Sequence, residues 1–267
     1  IQDTYRGLDG VAPGTVKRLR IVGVPPKVQP HMNRPVLGVS REETGKYILG
    51  SVPVEADGSA QVRVPSGVPY FFQALDAEGR AVQTMRSLTY VQPQQTLSCI
   101  GCHEHRDAAP ASRGMPLAAT KPPAKITPGP AGSLLLRYDL MVQPVLDQHC
   151  IGCHAPNSGT PKAAKIALAS PASWDTLIGY ADGDLKRLVF ERDASPVGNG
   201  PSLDSKLIRH LQTHPGHKRI KLLASDWRRI YAWMDTYAHR QGCFSAQQEK
   251  DLLAWRETIR ELFSAPP

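Results

Sequence analysis

Two pentapeptides in this chain are identical: Cys99-Ile100-Gly101-Cys102-His103 and Cys150-Ile151-Gly152-Cys153-His154. Cys-x-x-Cys-His is the attachment pattern of c-type haem. With five cysteines and nine histidines in 267 residues, chance would produce roughly three matches per thousand such chains. Two in one chain point to chemistry. Both thiols would bond to the porphyrin edge as thioethers, and two intervening residues let one backbone turn reach both positions. The adjacent His then offers a ring nitrogen to iron. Three other uses of paired cysteines compete. Zinc ribbons space their pairs by about 15–20 residues, whereas 47 residues separate Cys102 from Cys150. A thioredoxin-type redox pair needs a βαβ setting that neither motif has. Simple disulfides leave the two histidines unexplained.

His103 and His154 are therefore the expected proximal iron ligands. The sixth position decides function, because a strong second ligand makes an electron carrier and an open one admits substrate. For the second site the candidates are His217, then His214 and His210, with His239 and Met234 behind them. Met234 lies within an apolar helical stripe and reads better as core. His214-Pro215-Gly216-His217 precedes a helix, in a loop able to fold over a haem edge. For the first site the candidates are His31, Met32 and no protein ligand at all. His105 is tethered on the proximal side, and His149 reads as a helix-end residue. Thioether attachment takes place outside the cytoplasm, so the expected compartment is the periplasm or its equivalent. Cys243 is then an odd thiol, read as a small buried residue.

These motifs need elements to position them. Short runs rich in Val, Tyr and Phe predict strands at 18–24, 47–54, 60–64, 70–75, 81–85 and 88–91, separated by turns such as Ala56-Asp57-Gly58-Ser59. Such spacing predicts a small all-β, sandwich-like domain over 1–106 carrying the first haem. Residues 107–131 hold six prolines and predict an extended, semi-rigid linker. Residues 132–267 predict a mostly helical, cytochrome c-like domain with the second haem. There, a helix over 134–149 restarts at Pro144. A stripe at Trp227, Ile230, Tyr231 and Met234 follows Ser225 as cap, and a second stripe from Leu252 to Phe263 follows a capping box at Ser245. The fold class is thus α+β and multidomain.

Composition excludes more than it selects. No apolar run approaches the roughly 18–20 residues of a membrane span. The +8 formal charge is spread almost evenly, with cations exceeding anions by 12 to 9, 3 to 1 and 17 to 14 over the three segments. Nucleic-acid binding would want a basic cluster. The start at Ile1, without Met or leader, favours a piece of a longer chain.

Several strings resemble the middle and C-terminal haem domains of the hydrazine synthase alpha-subunit family: Gly50–Ala60, Ala74–Gly79, Met85-Arg86-Ser87 and Leu97–Glu104. Val142–Asp147 and Trp227–Asp235 are similar to related cytochrome domains. The resemblance implies a β domain with one haem c and an α domain with a second, usually bis-His, haem; longer relatives carry an N-terminal propeller. In that family a Tyr shortly after the first motif ligates iron and the motif His turns to zinc. Here Asp107 stands in that place and the next Tyr is Tyr138, so ordinary ligation by His103 is expected. The expected function is a dihaem c-type cytochrome passing single electrons to redox partner proteins, as part of a larger complex. The alternative is a haem oxidoreductase acting on a small nitrogen or oxygen species at the first haem.

Overall fold

The computed structural model describes residues 1–31, 34–40, 43–102, 114–190 and 197–264. His103, Met32, His105 and Asp107 lie outside them.

Among the described residues four strands form one antiparallel sheet: β1 (Arg18–Gly23), β2 (Tyr47–Pro53), β3 (Tyr70–Leu75) and β4 (Ala81–Thr84), in the order β2-β1-β3-β4. Their Val, Ile, Tyr and Phe side chains suit a pleated, two-sided buried surface. β1 is central, pairing Ile21 with Gly50 and with Phe72. The expected sandwich is a single sheet here. Two expected strands shrink to isolated bridges, Val62 with Ala124 and Thr89 with Tyr70. Helices and a strap supply the opposing layers in place of a second sheet.

That strap is the proline-rich stretch. Its described part, from residue 114, holds 3₁₀ turns at Leu117–Thr120 and Pro130–Gly132, and from Leu117 onward it is packed rather than free. Ser51 and Thr127 exchange backbone hydrogen bonds at 2.8 and 2.9 Å, and the Ile126 N–H donates to the Leu262 carbonyl at 2.8 Å. Ile126 is fully buried in the sheet's core. One apolar residue among prolines thus anchors the segment.

Among the described residues nine α-helices follow: α1 (Tyr138–Met141), α2 (Gln143–His149), α3 (Ile151–His154), α4 (Pro161–Ala164), α5 (Ser173–Phe190), α6 (Pro201–Asp204), α7 (Lys206–Thr213), α8 (Ala224–Asp235) and α9 (Ala246–Thr258). Pro144 opens α2, as expected. α5 is bent at Tyr180–Gly183, where three successive residues adopt left-handed φ values. The cap of α8 differs from expectation. Asp226, inside the first turn, accepts from the Leu223 N–H at 3.0 Å, and Ser225 lies within the helix. Ser245 does cap α9, accepting from the Gln248 N–H at 3.1 Å.

α1, α2, α5, α7 and α8 share one core around Trp233, which is fully buried. α9 leaves that group and packs on the sheet, Trp255 meeting Tyr47 edge-on at 5.9 Å. The 132–267 half therefore contributes to both cores. A buried polar joint ties them. The Asp235 carboxylate accepts from the Ala81 N–H (2.8 Å), the Ser202 N–H (3.0 Å) and the Ser202 hydroxyl (2.8 Å). Gln73 donates to the Asp235 carbonyl at 2.7 Å and accepts from Arg20 at 2.9 Å. No helix among the described residues is long and apolar enough to cross a membrane.

Candidate haem-binding sites

The second motif sits where one helix breaks and another single turn begins. Cys150 ends α2 with non-helical dihedrals, and its carbonyl accepts from His154 N–H at 2.9 Å. One turn thus sets Cys150 and His154 on the same side. Both line an apolar cleft, whose walls are Val142, Val145, Leu146, Leu168, Leu177, Leu207, Ile230 and Trp233, with Trp227 and Tyr180. Cys150 is buried and lines the cleft, whereas Cys153 is exposed and lies outside the lining. Burial pushes the Cys150 thiol up to about 11, with Cys153 adding to the shift.

His154 is oriented by the segment that follows. Its Nδ1 lies 3.0 Å from the Ala163 carbonyl and 3.2 Å from that of Ile166. Only a protonated Nδ1 satisfies a carbonyl, which leaves Nε2 as the lone-pair nitrogen. Metal-ligating histidines are held this way by their outer partners. The 160–168 segment is fixed in turn by a hydrogen bond from the Leu168 N–H to the His154 carbonyl at 3.0 Å.

Three more histidines cluster opposite, their donor atoms within 4.8 Å of one another: His210, His214 and His217. His217 lies in a 3₁₀ turn, Pro215–His217, and its ring centroid is 6.0 Å from that of His154. That separation leaves room for one metal ion between two imidazoles with bonds of about 2 Å. The His217 Nδ1 is buried without a hydrogen-bond partner, a costly arrangement for an imidazole lacking a ligand. Burial lowers the His217 pKa despite an opposing backbone hydrogen bond; His214 and His154 add to the fall. Burial and the same cluster lower His210. Both shifts favour the neutral form that metal ligation requires. His210 also lines the cleft, 5.7 Å from Tyr180. His214 is exposed, outside the lining, and accepts from the Gly216 N–H at 3.1 Å. Of the weaker candidates, Met234 is fully buried in the helical core. His239 has both ring nitrogens against carbonyls, Thr236 at 3.0 Å and Thr44 at 2.9 Å. The residues present fit a haem held by Cys150, Cys153 and His154 with His217 opposite. The sequence offered no sign of the carbonyls that orient His154, because that contact depends on how 160–168 folds back.

The first motif has different surroundings. Residues 2–6 lie along it: the Gln2 and Asp3 N–H groups donate to the Cys99 and Ile100 carbonyls at 2.8 and 3.1 Å, and the Cys102 N–H donates to Arg6 at 3.2 Å. A side chain on Gly101 would come within 2.5 Å of the Arg6 carbonyl oxygen, so glycine is required. Cys102 packs against the sheet's core, and Cys99 adds to the upward shift that burial gives Tyr70. His31 is exposed in the loop after β1. Its pairing with His103 falls outside the described residues.

Residues 14–104 match the family of the hydrazine synthase alpha subunit middle domain. Hydrazine synthase subunit alpha of Kuenenia stuttgartiensis is 33% identical over 107 residues, which are 35% of this chain and 13% of that relative. A solved structure titled Kuenenia stuttgartiensis Hydrazine Synthase superposes with a TM-score of 0.58 at 18% identity, over 88% of this chain and 40% of that one. The chain is thus similar in sequence to the hydrazine synthase alpha subunit across its first motif, and similar in fold to hydrazine synthase across both halves.

Proposed function

We propose that this chain is a periplasmic dihaem c-type cytochrome module that passes single electrons as part of a larger redox complex. Cys99, Cys102 and His103 would hold one haem; Cys150, Cys153 and His154 the other, with His217 as sixth ligand and His31 as the candidate at the first site. Bound haem supplies a one-electron Fe(III)/Fe(II) couple whose potential follows its axial ligands and burial. The chain's own part at the second site is to present two thiols, to hold His154 by two carbonyls, and to exclude water with an apolar wall. The single observation that carries this reading is the His154–His217 pair facing across that wall beside Cys150. Two engaged imidazoles leave no position for substrate, which favours transfer over chemistry at this site. The partners would be other subunits, the role that the name of the matched relative, "subunit alpha", suggests.

A second reading has one specific support. The family match over 14–104 takes in the cysteines of the first motif and stops short of the second. On that reading the first site hosts oxidoreduction of a small nitrogen or oxygen species, and the second feeds it electrons.

One set of measurements separates these readings. The denatured, acid-extracted polypeptide should weigh two haem masses above its amino acids, and one after Cys150→Ala/Cys153→Ala or Cys99→Ala/Cys102→Ala. His217→Ala should convert one low-spin haem to a form that binds carbon monoxide. Carbon monoxide binding by the unaltered protein would favour the second reading. A chain with no added mass would overturn both.

A further inference from the structure

A second constellation of charged side chains lies away from the cysteine motifs, between the sheet, the strap and the start of α8. Lys17, Arg18, Arg20 and Arg228 line one cleft there, together with a single carboxylate, Asp76. That carboxylate is already taken, accepting from the Arg80 N–H at 2.8 Å and from Arg80 Nε at 2.7 Å. Arg20 is 3% exposed and anchored by Gln73 and by the Gly79 carbonyl at 3.0 Å. Arg18 is half-buried, and it donates to neutral groups: Ser51 Oγ at 2.8 Å and the Ser51 carbonyl at 2.9 Å.

The charge neighbour that Arg18 does feel is another cation. Arg228 lowers its pKa on top of the effect of burial. Among the described residues no carboxylate pairs with Lys17, Arg18 or Arg228. The stem of Arg228 runs beside Gly79, whose hypothetical Cβ would lie 3.4 Å from Arg228 Cγ, so the turn at 76–79 leaves the side chain space to lie along the cleft. Ser225, in the first turn of the 12-residue helix α8, lines the same cleft and brings a helix N-terminus to it. Converging like charges cost free energy unless an opposite charge joins them. Guanidinium forks offer the planar donor pairs that oxyanions accept.

We propose that this cleft binds a dianionic oxyanion of the phosphate type, held by Arg18 and Arg228 with Lys17 adding charge. Asp235 and Asp76 already offset Arg20. The site is independent of the haem reading. Its test is a titration of inorganic phosphate into the full haem-loaded chain, followed by calorimetry and by the thermal midpoint, with chloride at matched ionic strength as control. Saturable binding and a rise in midpoint are expected with phosphate. Arg228→Glu changes an exposed residue and should weaken binding at least tenfold. It should also raise the midpoint without phosphate, because Arg18 then gains an opposite charge. Lys250→Glu, a surface change of equal charge on α9, should leave binding within about twofold. Equal phosphate responses in the unaltered chain and Arg228→Glu, or no response in either, would overturn the proposal.

Discussion

The two Cys-Ile-Gly-Cys-His pentapeptides share every residue and almost nothing of their surroundings. The second is a helical break facing an apolar cleft, with His210 and His217 across it. Cys99–Cys102 of the first are hydrogen-bonded to the backbone of residues 2–6, and Cys102 packs on the sheet's core. Covalent attachment needs only the pentapeptide; the redox behaviour of what is attached depends on the second shell and the wall. If both motifs carry haem as proposed, unlike walls should set them at different potentials, an asymmetry that would give electron flow a direction.

The contrast is sharpest if the two surroundings are one mechanical unit. Asp235 is the joint: it ends α8, whose other face carries Trp227 and Ile230 into the cleft, and it grips β4 through Ala81. Burial pushes its carboxyl up, while Arg20 and its hydrogen bonds pull it down. Asp235→Ala leaves the Ala81 and Ser202 donors without their acceptor and the buried Arg20 without a nearby opposite charge, and should cost about 3–5 kcal/mol. Urea unfolding followed separately at each half should then lose its single transition. Coincident transitions in the variant would show that the halves are coupled elsewhere.

A smaller effect bears on the same seam. His239 joins Thr236 on the helical side to Thr44 before β2. Burial and the nearby Lys46 lower its pKa to about 4, outweighing Glu43 and the two carbonyls. Between about 6.5 and 4 the unfolded chain therefore binds the extra proton. The stability from neutral His239 is present in full above that window and is lost as pH falls through it, by up to about 3 kcal/mol. His239→Gln should flatten this acid limb in urea midpoints measured from pH 7 to 4.5. An unchanged slope would assign the limb to other groups.

How much of this was legible varies by range of contact. The pentapeptides, the four strands from Arg18 to Thr84, the restart at Pro144 and the Ser245 cap all follow from neighbours a few residues apart. The packing of Ile126, the return of Trp255 to Tyr47 and the orientation of His154 were not legible, because each joins segments that only the whole fold brings together. Proline content made 107–131 read as a spacer, yet proline is equally at home in an extended strap whose donors are few. His217 was preferred from its loop setting, and the structure sets it across the cleft from His154. His210, ranked below His214, turns out to line the cleft that His214 does not.

The two glycines give the most local comparison. Gly152, in the one-turn α3, has nothing within 4 Å of where a Cβ would be, whereas the same position at Gly101 meets the Arg6 carbonyl at 2.5 Å. Alanine at 152 should be neutral or stabilise by up to about 1 kcal/mol, because glycine is the poorer helix former. Alanine at 101 must push back a backbone carbonyl and should cost about 1–3 kcal/mol. Thermal midpoints of Gly101→Ala and Gly152→Ala should thus move unequally, with faster amide exchange at Cys102 in the first variant only. Equal shifts would mean that residues 2–6 do not hold the first motif, and that the contrast between the two walls begins farther from the cysteines than these contacts place it.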